Sequence, residues 1–83
     1  MVNNLATISV KYYNGEGPPK NFLSYFSPDW TIEDFTNNFR DNTAKGIIPE
    51  GKNLRVIVCG EIPDMGASCQ SFMLIPVVHV ILV

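Results

Sequence analysis

Residues 31–40, TIEDFTNNFR, decide the fold, because they carry the clearest helix signal in the chain. Thr31 and Asp34 match a capping box, in which side chains and backbone at the start of a helix exchange hydrogen bonds. Apolar residues recur there at spacings of three and four, as on one face of a helix: Ile32, Phe35 and Phe39. We therefore predict one amphipathic helix that begins after Thr31 and stops at Gly46.

Two strands are predicted before this helix. Residues 7–12, TISVKY, alternate polar and apolar side chains, which indicates a half-buried strand with Ile8 and Val10 facing the core. Residues 21–26 follow Asn14-Gly15, a pair favoured in tight turns, and we expect them to pair back as a hairpin. A second glycine, Gly17, and the pair Pro18-Pro19 follow, which indicates a turn slightly longer than the minimal one.

Two further strands are predicted after the helix. A loop over residues 47–53 leads into residues 54–58, LRVIV, as the third strand, and residues 63–68 are typical of a loop with turns. The apolar run over residues 72–83 predicts the last strand. This order indicates an α+β fold, with one helix packed across one face of a mixed sheet of four to five strands. The length of the chain predicts a single domain over residues 1–83.

Composition excludes several classes of function. The chain is 46% hydrophobic and 17% charged, with a formal net charge of −2, which is typical of a folded domain. Its Lys and Arg residues form neither the basic stripe of a nucleic-acid binder nor the cluster of a membrane-surface helix. A domain of this size has little spare core in which to form a deep catalytic cleft. We therefore expect that the protein is not an enzyme and that it binds neither nucleic acid nor a membrane.

The cellular compartment follows from the cysteines and the two ends of the sequence. Cys59 and Cys69 are too few for a disulfide framework, and free thiols in a reducing compartment are the better expectation. Residues 1–4 do not begin a signal peptide, and the apolar residues 72–83 are too few to span a membrane. We therefore expect a cytoplasmic protein.

No residue set in the sequence predicts catalysis, a metal site or a cofactor. Cys59 and His79 lack a third orienting group, so a nucleophile–base pair is disfavoured. One His and two separated Cys do not fit any zinc spacing. Gly15 and Gly17 do not lead into a helix, so they do not form a phosphate-binding loop.

The alternation of side chains along the later strands predicts an uncovered apolar surface. One helix covers one face of the sheet, and Leu54 and Val56 are expected to lie beneath it. The opposite, open face of the sheet would then carry Ile57, His79 and Ile81 together. The basic residue Arg55 would lie alongside them, and Tyr13 would lie at the edge. An uncovered apolar area on a small domain is a candidate partner surface, although single exposed aliphatic residues are common and need no explanation.

Several strings in the expected order resemble the ubiquitin-like domains, over roughly residues 6–82. They are ISVK at residues 8–11 before Gly15, PDWTIE at 28–33, Gly46-Ile47 followed by Pro49, LRVIVCG at 54–60 and VHVI at 78–81. Within that family, LRVI at residues 54–57 with Gly60, and VVHV at residues 77–80, look most like the N-terminal ubiquitin-like domain of parkin-type ubiquitin ligases. The fold implied is the ubiquitin-like β-grasp. Residues 63–70 barely match the family pattern.

The resemblance implies a non-catalytic module that recruits or regulates partners of the ubiquitin–proteasome pathway. By position, Ile57 corresponds to the central isoleucine of the family's binding patch. His79 and Ile81 correspond to its neighbours on the last strand, and Arg55 corresponds to the flanking basic residue. The implied partners are ubiquitin-interacting motifs, proteasome receptors or a neighbouring domain of a longer parent protein. Two alternatives remain: a modifier truncated before a Gly-Gly tail, and a scaffold domain unrelated to ubiquitin binding.

Overall fold

The first half of the sheet is an antiparallel hairpin. The computed structural model describes residues 5–83, so the expectation about a signal peptide in residues 1–4 lies outside the described residues. Strand β1 spans Ala6–Tyr13 and strand β2 spans Lys20–Phe26. Asn14 Oδ1 accepts a hydrogen bond from the Glu16 backbone at 2.8 Å, and Gly15 and Gly17 both have positive φ. The connection is therefore longer than a minimal turn, as predicted.

The helix begins as the sequence predicts. Helix α1 spans Ile32–Asn38, and Thr31 and Asp34 form both hydrogen bonds of the capping box at 3.1 Å. It does not continue as a regular α-helix to Gly46, because a π-helical turn over Phe39–Thr43 follows Asn38. In this wider turn the Ala44 N–H donates to the carbonyl of Phe39 at 2.8 Å. Phe39 and Ala44 are both fully buried as a result.

The remaining strands complete a mixed sheet. Strand β3 spans Leu54–Ile57 and strand β4 spans Val77–Leu82. The order in the sheet is β2-β1-β4-β3, with β1 and β4 parallel and the other neighbours antiparallel. The predicted α+β class is confirmed, with four strands and one α-helix among residues 5–83. This arrangement is compatible with a ubiquitin-like β-grasp of four strands rather than five.

The prediction of one strand over residues 72–83 was wrong in its first half. Gln70–Leu74 form a 3-10 helix, and β4 begins only at Val77. Phe72 is buried against Phe26 and Phe35, with ring centroids 5.4 and 5.0 Å apart, whereas the next residue along the chain points outwards. A tight helical turn satisfies this packing, because it directs one bulky side chain inwards and its neighbours into solvent.

The core lies between α1 and the inner face of the sheet. Its hydrophobic members come from every element: Ile8, Val10, Tyr12, Phe26, Ile32, Phe35, Phe39, Ala44, Leu54, Val56, Cys69, Phe72, Val78 and Val80. Burial raises the pKa of the Tyr12 hydroxyl. The pKa of the Cys69 thiol rises to about 11, first through burial and then through the nearby Asp34 carboxylate. Among residues 5–83, no helix is both long and apolar enough to cross a membrane.

Candidate functional site: the open face of the sheet

Strand alternation separates a covered face from an open face, as the sequence predicts. On β4, Val78 and Val80 are buried beneath α1, while His79 and Ile81 are only half-buried on the opposite side. On β3, Leu54 and Val56 are buried, and the residues between and after them point to the open face. The open face is defined here by the outward residues of all four strands.

The strand register brings the five predicted site residues into two neighbouring rows. Between β3 and β4, Ile57 lies opposite His79. Two residues further along the same ladder, Arg55 lies opposite Ile81. On the other side of β4, the parallel register sets Tyr13 beside Ile81. One row therefore reads from Tyr13 through Ile81 to Arg55, and the next contains His79 and Ile57. All five side chains share one surface.

Tyr13 and His79 form the most specific contact on this face. The Tyr13 hydroxyl lies 3.1 Å from Nδ1 of His79, within hydrogen-bond distance, and the two rings stack with centroids 5.8 Å apart and planes 30° apart. The two residues are diagonal neighbours on parallel strands, since Tyr13 pairs with Ile81. The contact holds the imidazole in one position at the centre of the surface.

The sequence reasoning missed the other half of the open face. Leu23 and Tyr25 on β2 are 67% and 59% exposed, whereas Ile57, His79 and Ile81 are only half-buried. Leu23 lies opposite Ser9, which in turn neighbours Val77 on β4. The same period-2 argument applied to residues 20–26 identifies them, because Ser24 and Phe26 are buried on the alternate side. The apolar surface is therefore wider than predicted.

The charges on this face have one sign. Lys11 and Arg55 are exposed there, and Lys11 lies directly beside His79 in the β1–β4 register. None of the four strands contains an Asp or a Glu. All eight acidic residues lie in the helix and the loops instead: Glu16, Asp29, Glu33, Asp34, Asp41, Glu50, Glu61 and Asp64. The open face thus combines apolar side chains with positive charge.

The open face combines three kinds of side chain. Its side chains are aliphatic, aromatic and basic. They lie on regular strands, where each side chain contacts neighbours on the adjacent strands. Within residues 5–83, no group of three or more His, Cys, Asp or Glu side chains is placed to hold a metal ion. Cys59 is exposed in the turn after β3, and Cys69 is buried.

No protein-family model matches this chain, and no curated protein matches it.

Proposed function

We propose that this protein is a non-catalytic, ubiquitin-like protein-interaction module that recruits or regulates partners of the ubiquitin–proteasome pathway. The observation that carries the proposal is the pairing of Ile57 with His79 on the open face, with Ile81 in the next row. The sequence resemblance assigns the binding patch of the family to these same positions. The α+β fold supports the proposal because no helix among residues 5–83 covers this face.

The partner is an amphipathic helix with an apolar stripe bordered by acidic residues. Ile57 and Ile81 accept the apolar stripe. Lys11 and Arg55 attract the acidic border, and the four strands contain no acid to repel it. Electrostatic complementarity of this kind raises the association rate and excludes basic partners. Because the surface is shallow, the affinity of a single domain is weak and depends on avidity or on regulation.

The test is an NMR titration of the labelled chain with a synthetic ubiquitin-interacting-motif helix. We expect the amide signals of Ile57, His79 and Ile81 to shift. The variant Ile57→Ala should keep the wild-type fold and weaken binding at least about tenfold, as expected for an interface anchor. The matched control Ile47→Ala removes an equally large, exposed isoleucine from a loop outside the four strands and should bind normally.

The outcomes separate the proposal from its rivals. Shifts confined to residues off the open face, or no shifts at millimolar peptide, would overturn it and favour a scaffold role. Unfolding of the Ile57→Ala variant would show that Ile57 belongs to the core. The assignment of the binding patch to Ile57 would then be wrong.

A further inference from the structure

The connection between β1 and β2, residues 14–19, is held by one side-chain contact. The last residue pair of the hairpin is Tyr12 with Lys20. Beyond that pair, within residues 5–83, the hydrogen bond from the Glu16 N–H to Oδ1 of Asn14 is the only one that the connection makes. Loop tips with so few backbone hydrogen bonds open locally at little cost in free energy. The backbone of this connection can therefore change conformation without disturbing the sheet.

The pair Asn14-Gly15 in this connection has the composition for an intramolecular reaction of asparagine. The backbone nitrogen of the residue after an asparagine attacks the side-chain amide carbon Cγ, which closes a succinimide ring and expels ammonia. Glycine hinders this attack least, because it has no Cβ. Of all the asparagines in the chain, only Asn14 precedes a glycine.

The structure leaves both reacting groups of this pair available. The Gly15 N–H donates to no protein group within residues 5–83, and Gly15 is exposed to the water and hydroxide that the reaction uses. The side-chain amide of Asn14 is oriented by the Glu16 N–H, which donates to Oδ1 at 2.8 Å. When the nitrogen attacks Cγ, negative charge develops on Oδ1, and the Glu16 N–H is already placed to stabilise it. The contact that shapes the turn therefore also favours the reaction.

Asn38, at the end of α1, is protected from the same reaction. It precedes Phe39, whose N–H donates to the helix carbonyls of Phe35 and Thr36. An N–H held in helical hydrogen bonds is not free to attack the preceding side chain, and the side chain of Phe39 adds steric hindrance. Asn38 is therefore a slow reference site within the same molecule.

We propose that Asn14 is a site of spontaneous deamidation that places a negative charge beside the open face as the protein ages. In the first step the Gly15 nitrogen bonds to Cγ of Asn14 and the Cγ–Nδ2 bond breaks. The proton lost by the Gly15 nitrogen passes through solvent to the departing nitrogen, which leaves as ammonia. In the second step one water molecule opens the ring. Opening at Cγ gives aspartate, and opening at the backbone carbonyl gives isoaspartate.

Both products change the charge at one end of the open face. The new carboxylate directly follows Tyr13, which begins the row that runs through Ile81 to Arg55. There it opposes the positive charge of Arg55 and repels an acidic partner. Isoaspartate also adds one carbon atom to the backbone after Tyr13. The effect on partner binding rests on the proposed function, whereas the deamidation itself does not.

The test of the deamidation is ageing of the intact 83-residue chain in mildly alkaline buffer, followed by peptide mapping with mass spectrometry. We expect conversion at Asn14 at least about tenfold faster than at Asn38, since one hydrogen bond to the developing oxyanion alone supplies about that factor. Asn14→Gln keeps an amide but would need a larger ring, so it should stay intact. Gly15→Ala has open space for the added Cβ and should slow the conversion several-fold. Equal rates at Asn14 and Asn38, or an unchanged rate in Gly15→Ala, would overturn the proposal.

The test of the effect on the open face uses Asn14→Asp, which adds the charge without the longer backbone and keeps an acceptor for the Glu16 N–H. It should bind the ubiquitin-interacting-motif helix about 2–5-fold more weakly than the wild type. The matched control Asn37→Asp adds the same charge on α1, keeps the acceptor for Arg40 and should bind normally. Equal binding by Asn14→Asp and the wild type would overturn the effect on the open face. Absence of binding by the wild type would overturn the proposed function and leave the deamidation result standing.

Discussion

The side chains of Tyr13 and His79 join β1 to β4 across the open face, through a 3.1 Å hydrogen bond and a stacked ring pair. The core aromatic residues lie on the other side of the sheet, so this contact is built on the surface itself. Tyr13 is also the residue that precedes the hairpin connection. The pair therefore fixes both the position of the imidazole and the end of β1.

The first prediction concerns the energy of this pair. Tyr13→Phe keeps the ring stack and removes the hydroxyl, so we expect a loss of about 0.5–1.5 kcal/mol in unfolding free energy. The measurement is urea unfolding of Tyr13→Phe, His79→Phe and the double variant. The hydrogen bond predicts that the two single losses are not additive. Additive losses would mean that the hydroxyl and the imidazole are not coupled in solution.

The elements that could be predicted from the sequence are those with a local physical signal. The capping box at Thr31 and Asp34 requires only two side chains and the backbone between them. The alternation around Val78 and Val80 requires only that one face is covered. Both were confirmed, and the positions of Ile57, His79 and Ile81 on the open face followed from the same alternation.

The elements that were missed depend on contacts between distant segments. Leu74 is 88% exposed although it lies in the most apolar run of the chain, because Phe72 alone fits the space beside Phe26 and Phe35. The π-helical turn is likewise stabilised from outside, by a 3.0 Å hydrogen bond between the hydroxyls of Ser24 and Thr43. Hydrophobicity along the chain does not contain this information.

The second prediction concerns the start of the helix. Thr31→Ala should lower the unfolding free energy by about 1 kcal/mol, because the Asp34 N–H loses its acceptor. Asp34→Asn and Glu33→Gln each remove one negative charge from the first turn of α1, but only Asp34 accepts a hydrogen bond from the Thr31 backbone. We expect Asp34→Asn to cost more in thermal unfolding. Equal costs would indicate that the helix dipole alone accounts for the effect.

The third prediction concerns the two thiols. Cys59 is exposed and Cys69 is buried, with its thiol donating to the Thr31 carbonyl at 3.4 Å. At pH 8 a thiol reagent should modify Cys59 rapidly in the folded protein and Cys69 only after denaturant is added. The count of modified thiols over time is the measurement. Rapid modification of both would show that the 3-10 helix region opens readily.

The fourth prediction is an alkaline loss of stability. The pKa of Cys69 is about 11 in the folded protein against 9.0 for a free thiol, so the folded state holds its proton more tightly. Stability is fully present below pH 9 and falls as the pH rises towards 11, by at most about 3 kcal/mol. Tyr12 acts in the same direction, because burial raises its pKa as well. Cys69→Ala should flatten the pH dependence, and an unchanged slope would assign the loss to other groups.

The last prediction concerns the turn that ends β3. Cys59 has φ +52 and Gly60 has φ +80, and two hydrogen bonds between Val58 and Glu61 close the turn. Such two-residue turns favour Asn-Gly, since asparagine tolerates the left-handed region better than other side chains. Cys59→Asn should therefore raise the unfolding free energy by about 0.5–1 kcal/mol. For a domain of this size, this corresponds to a midpoint about 2–8 °C higher.

The control for that turn is Cys59→Ser, which removes the thiol without the conformational preference of asparagine. Its melting temperature should stay close to that of the wild type. An equal rise in both variants would assign the gain to loss of the thiol rather than to relief of backbone strain.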